Sequence, residues 1–77
     1  MLTSDQIRAG RALVRWAARE LAERAGLSLP TIQRLEAAKG VPSTSVKTLM
    51  SVKAALERAG VEFTNSDSPG VRLKKKR

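Results

Sequence analysis

The chain contains no cysteine and no histidine in its 77 residues, and only two aromatic side chains, Trp16 and Phe63. Without cysteine no disulfide can staple a small fold. Without either residue type, a Cys/His zinc site and any Cys- or His-based catalytic centre are excluded. Two rings far apart in sequence give no platform on which single-stranded bases stack, so a basic RNA-binding module is poorly supported. No apolar run approaches the roughly 18 residues of a membrane span, and the opening MLTSDQIRAG lacks a basic-then-apolar signal pattern. The 7 acidic residues are scattered, with no paired carboxylates for acid–base work, so no enzyme is expected. The chain is therefore read as cytoplasmic, with no metal, cofactor, membrane or small-molecule ligand.

What is present is positive charge. Lys and Arg number 15, for a net charge of +8, and residues 72–77 (RLKKKR) carry five of those positive charges and no negative one. Much of the basicity is thus a tail, which is either a solvated, disordered terminus or an arm for a polyanion. Hydrophobic residues make up 42% of the chain, unlike a disordered sequence. Its length fits one small domain.

Four helices and two strands are legible. Thr3 to Gln6 has the form of a capping box. Ile7, Gly10, Val14 and Ala17, widened by Leu13, predict an amphipathic helix over roughly 4–14. A short helix over about 17–25 carries Leu21, Ala22 and Ala25 inward, with Glu20 and Arg24 as an exposed pair one turn apart. Gly26 follows, where a helix ends in a left-handed residue. Ser28 is an N-cap and Pro30 is tolerated in the first turn, which starts a third helix over about 29–37 held by Ile32 and Leu35. After Lys39-Gly40-Val41-Pro42, Ser43 reads as the cap of a fourth helix over about 44–59. Leu49, Val52, Leu56 and Ala59 form its stripe, with Val46 and Met50 beside them. Beyond Gly60 the period becomes two: Val61–Thr64 and Val71–Leu73 alternate, separated by turn residues 65–70. Trp16 is read as core rather than as a stacking platform.

The segment Leu21-Ala22-Glu23-Arg24-Ala25-Gly26-Leu27-Ser28 is two helices joined by a tight glycine turn, the helix-turn-helix pattern. Ala22 is small where the helices cross, and Ile32 and Leu35 clamp the following helix. In its register Leu21-Ala22, Gly26-Leu27-Ser28, Thr31-Ile32 and Leu35-Glu36, the sequence resembles the phage-repressor/Cro-type (Xre-like) helix-turn-helix DNA-binding family over about residues 4–59. The resemblance implies a mainly α, four-helix lambda-repressor-like domain over 1–60. The two-stranded segment 61–73 and a basic tail 74–77 follow it.

The resemblance also implies roles. The third helix enters the major groove of double-stranded DNA, and its base-reading positions fall on Leu29, Pro30, Thr31, Gln33 and Arg34. Arg34 is the leading candidate, because a guanidinium donates two hydrogen bonds to guanine O6 and N7. The plainer reading of Arg34 is a solvated surface residue. Phosphate contacts fall on Ser28, Arg19, Lys39, Ser43, Thr44 and Lys47, which position the protein without reading sequence. Arg11 and Glu36 match a structural pair, with Arg11 also a candidate for reaching a phosphate. The polar residue that the family usually has at the start of the second helix is replaced by Ala17-Ala18. The expected function is a transcriptional regulator bound to an inverted-repeat operator as a homodimer, on the nucleoid of a bacterium or phage. Val61, Phe63, Val71 and Leu73 serve either as the dimer seam or as monomer core. The competing expectation is a protein–protein adaptor, an antitoxin or anti-activator, that uses 61–77 to hold a partner.

Overall fold

A computed structural model describes residues 2–64 and 68–74. Helices α1 (Ser4–Leu13), α2 (Ala18–Ala25), α3 (Leu29–Ala37) and α4 (Val46–Arg58) precede strands β1 (Val61–Thr64) and β2 (Gly70–Leu73). The core is built from Ile7, Leu21, Ile32, Leu35, Leu49, Val52, Leu56 and Val61, with Leu2, Ala22 and Ala55 filling between them. Each helix thus contributes an apolar stripe to one centre, which is how a mainly α domain of this size is stabilised. Among the described residues no helix is long and apolar enough to cross a membrane.

The helix ends follow from local chemistry. At α1 the Thr3 hydroxyl accepts from the Gln6 amide while the Gln6 side chain accepts from the Thr3 amide, completing the capping box. The helix stops at Leu13, one residue early, because the Arg15 N–H turns back to the Ala12 carbonyl and the Trp16 N–H to that of Arg11. This closure requires a left-handed residue, supplied by Arg15 at φ 59°. Ala17, expected on the α1 stripe, is instead the exposed N-cap of α2, and Leu13 is exposed as well. The same closure ends α2, where Gly26 sits at φ 71° and the Leu27 N–H reaches the Ala22 carbonyl. A side chain at a left-handed position costs roughly 1–2 kcal/mol that glycine avoids. Arg15→Gly is therefore expected to stabilise the protein by about 0.5 kcal/mol after the entropy glycine adds to the unfolded chain, readable as a shift in the urea midpoint.

The fourth helix begins at Val46, not at 44, and its cap is Ser45, not Ser43. Three consecutive hydroxyl residues compete for this role. Ser45 wins because its hydroxyl accepts from the Thr48 amide at 3.1 Å and donates to the Thr48 hydroxyl at 2.8 Å. Ser43 and Thr44 are left in the connecting loop. Leu49, Val52 and Leu56 face inward as expected, but Val46 and Met50 face solvent.

The two strands pair antiparallel, Val61 opposite Leu73 and Phe63 opposite Val71. An isolated hairpin is marginal in water, and this one is held on its own chain. Val61 is 1% exposed, and Phe63 and Val71 pack against the core. Gly10 on α1 leaves room for them, since a Cβ there would lie 3.4 Å from Val61 and 3.6 Å from Phe63. The Gln6 side-chain amide donates to the Thr64 and Gly70 carbonyls, fastening the strands to α1. Residues 65–67 of the expected turn, and 75–77 of the basic tail, lie outside the described residues.

Candidate nucleic-acid interface

The site is α3 and what holds it. Ile32, Leu35 and Glu36 are buried on its inner side, whereas Pro30, Gln33, Arg34 and Ala37 are exposed. At roughly 100° per residue those four occupy a single outward face. Its N-terminus is fixed by Ser28, whose hydroxyl accepts from the Thr31 amide at 3.3 Å and lies 2.8 Å from the Thr31 hydroxyl. Thr31 is therefore half-buried and bonded to the cap rather than pointing outward with Arg34. Leu29 is also half-buried, beside the inner face. Ala37, which the family pattern did not single out as a reader, lies on the outward face and is small enough to let another backbone approach closely.

Residues of α1 fix the other end. Arg11 and Glu36 form a two-pronged ion pair, Nε to Oε2 at 2.8 Å and Nη2 to Oε1 at 3.0 Å, and Arg11 Nη1 donates to the Trp16 carbonyl at 3.0 Å. Hydrogen bonding to Glu36 raises the Arg11 pKa above its ordinary value, in opposition to burial, which lowers it, and the Glu36 charge adds to the rise. Three of the five N–H groups of this guanidinium are held inside the fold, which makes the pair structural and leaves one N–H each on Nη1 and Nη2. The sequence reading missed two further contacts here. The buried Ser4 hydroxyl donates to the Leu35 carbonyl at 2.7 Å, and Arg8 donates to the Glu36 carbonyl while pairing with Asp5. Both satisfy carbonyls at the end of α3, which no helical N–H reaches. A serine placed just after an N-cap that already has its capping box was the available signal. Ser4→Ala leaves the Leu35 carbonyl buried without its partner and is expected to cost about 1.5 kcal/mol, measured by urea unfolding.

The cations divide into two sets. Arg8, Arg11, Arg24, Lys53, Arg58 and Arg72 each have a side-chain hydrogen bond or ion pair. Arg34, Arg19, Lys39 and Lys47 have none among the described residues and are exposed, as are Arg15 in the turn after α1 and Lys74 just after β2. Arg34 projects from α3 and Lys39 from the loop after it, while Arg19 and Lys47 lie in the first turns of α2 and α4. Ala17 caps α2 with no side-chain hydrogen bond. Ser43 is exposed and Thr44 half-buried, both in the loop before the Ser45 cap. Trp16 is half-buried against the core, with the Arg24 guanidinium 5.0 Å from its ring centre, so its face is covered. Of the four seam candidates, Val61, Phe63 and Val71 are used within the monomer, and Leu73 alone is strongly exposed, at 49%. Among the described residues no cluster of three or more acidic, histidine or cysteine side chains is placed to hold a metal ion. Neither a family model nor a curated protein matches the chain.

Proposed function

We propose that the protein is a sequence-specific regulator of transcription that binds double-stranded DNA with α3 in the major groove. One observation carries the reading: the cations expected at DNA, Arg34, Arg19, Lys39 and Lys47, are exposed and have no side-chain partner among the described residues, a state they share only with Arg15 and Lys74, whereas Arg8, Arg11, Arg24, Lys53, Arg58 and Arg72 are engaged within the fold. Unpaired cations around an outward helix face suit a polyanion, because phosphate neutralisation releases counterions. Arg34 with Gln33 supplies the donors that read base edges, and Pro30 and Ala37 supply apolar contact to a thymine methyl. The family resemblance of residues 21–36 supports the same docking. A homodimer on an inverted repeat completes the proposal, with Leu73 and an open strand edge available to its seam.

Selection from random duplex DNA at about 0.15 M salt tests this, since that salt suppresses purely electrostatic binding. The expected result is an inverted repeat with half-sites about one helical turn apart. Recovery of no sequence, with binding that vanishes as salt rises, would overturn the base-reading role.

A further inference from the structure

The two most exposed large hydrophobic side chains of the described residues are Met50, at 62%, and Val46, at 61%. They lie one turn apart on the solvent side of α4, and Ala54 continues the same row by another turn. Ala25, at the end of α2, forms the opposite wall, enclosing an open groove of about 580 Å³. Such a row on a helix that already buries Leu49, Val52 and Leu56 serves nothing in the fold.

We propose that this groove docks an acidic amphipathic helix of another protein. Charge selects the occupant. Lys47 and Arg58 stand at the two ends of the groove, and no acidic side chain lines it. The one acidic residue of α4, Glu57, is paired with Lys53 at 3.4 Å. Lys47 sits in the first turn of α4, where the helix dipole disfavours a cation, and Arg58 is steadied by donating to the Arg24 carbonyl at 3.4 Å. The eleven residue steps from Lys47 to Arg58 span about 16 Å of helix, close to three turns. A complementary helix therefore has apolar residues at i, i+4 and i+7, with a carboxylate near each end. A second copy of this chain would oppose its own Lys47 and Arg58 with like charges. DNA would occupy the charges and leave Val46 and Met50 in water. The groove shares only Lys47 with the proposed DNA contacts; Met50, Ala54 and Arg58 have no part in them.

The probe is a displayed library of helical peptides of about 20 residues, selected on the full chain and counter-selected on Met50→Glu. Enrichment of peptides with the apolar spacing above and with Asp or Glu at both ends is the expected result. These peptides should shift the Met50 methyl resonance and lose at least tenfold in affinity on Arg58→Glu, which converts to about 1.4 kcal/mol. Met50→Glu should keep the wild-type melting temperature and DNA affinity, and Arg58→Glu, which gives up the bond to the Arg24 carbonyl, should keep the cooperative urea transition of a folded domain. Equal recovery on Met50→Glu, enrichment of basic or neutral peptides, or no enrichment would overturn the proposal. So would a wild-type dimer in sedimentation that Met50→Glu dissociates, which would assign the groove to a second copy.

Discussion

Arg11→Ala is expected to lower the stability of the fold by about 3 kcal/mol, the largest effect of any single surface-reaching residue. The substitution leaves the Glu36 carboxylate, only 10% exposed, without its two hydrogen bonds, and it removes the donor to the Trp16 carbonyl. Breaking a buried pair by deleting one member costs roughly 3–5 kcal/mol, because the surviving charge stays desolvated. Arg11 itself is 25% exposed, so the lower end of that range applies. A domain of this size has only about 4–11 kcal/mol in total, and the melting temperature should fall by roughly 12–24 °C. Urea unfolding with an unchanged slope is the check. Adding Glu36→Gln to Arg11→Ala should recover part of the loss, since no buried charge then remains. A single-variant loss below about 1 kcal/mol would show that the pair behaves as a surface ion pair.

The pH dependence of this contribution has a definite sign. The Arg11 pKa is raised in the folded state, mainly by its hydrogen bonds to Glu36. A raised pKa gives stability that is fully present below the unfolded value and is lost only as pH climbs through the folded one. For an arginine that window lies above the neutral range, so the Arg11 side of the pair contributes a constant amount at working pH. The pair also joins α1 to the buried side of α3, on the same stretch where Ser4 and Arg8 hold the Leu35 and Glu36 carbonyls. Losing it should loosen the outward face without altering which side chains that face presents.

The helices were legible because each signal that sets them is local. The Thr3–Gln6 box, the Gly26 turn and the Ser28 cap act within four residues, and period-3.6 stripes select Ile7, Leu21, Ile32, Leu35, Leu49, Val52 and Leu56 for the core. The fourth-helix start was misplaced because Ser43, Thr44 and Ser45 look alike in sequence; only the hydroxyl of Thr48 distinguishes them. Val46 and Met50 are apolar, and no periodicity argument sends an apolar residue outward once the stripe has been widened to include it. The placement of the hairpin depends on Gly10 and Gln6, more than fifty residues away, and so could not be read from alternation alone. At the site, the Arg11–Glu36 pair was visible through the family pattern. The bonds of Ser4 and Arg8 to backbone carbonyls were not, because a carbonyl has no residue type to match.

Arg34→Ala is expected to weaken binding to the selected operator by about 2 kcal/mol, roughly thirtyfold, and to flatten the preference at one base position of each half-site. The argument rests on the proposed DNA-reading role and on where this guanidinium stands. It leaves the outward face of α3, is exposed, and has no internal partner to compete with a base edge. Its five donors in a planar fork fit guanine O6 and N7, so losing them removes discrimination as well as attraction. Lys39→Ala is the control, because it removes one positive charge from the loop after α3, where no base edge is within the helix's reading face. That variant should weaken all duplexes by a similar factor and reduce the slope of log affinity against log salt by about one. Arg34→Lys separates charge from geometry: it keeps the phosphate attraction and the salt slope but loses most of the base preference. If Arg34→Ala instead weakens every sequence equally and matches Lys39→Ala in its salt slope, Arg34 contacts the DNA backbone. Base reading would then pass to Gln33 and to the apolar contacts of Pro30 and Ala37.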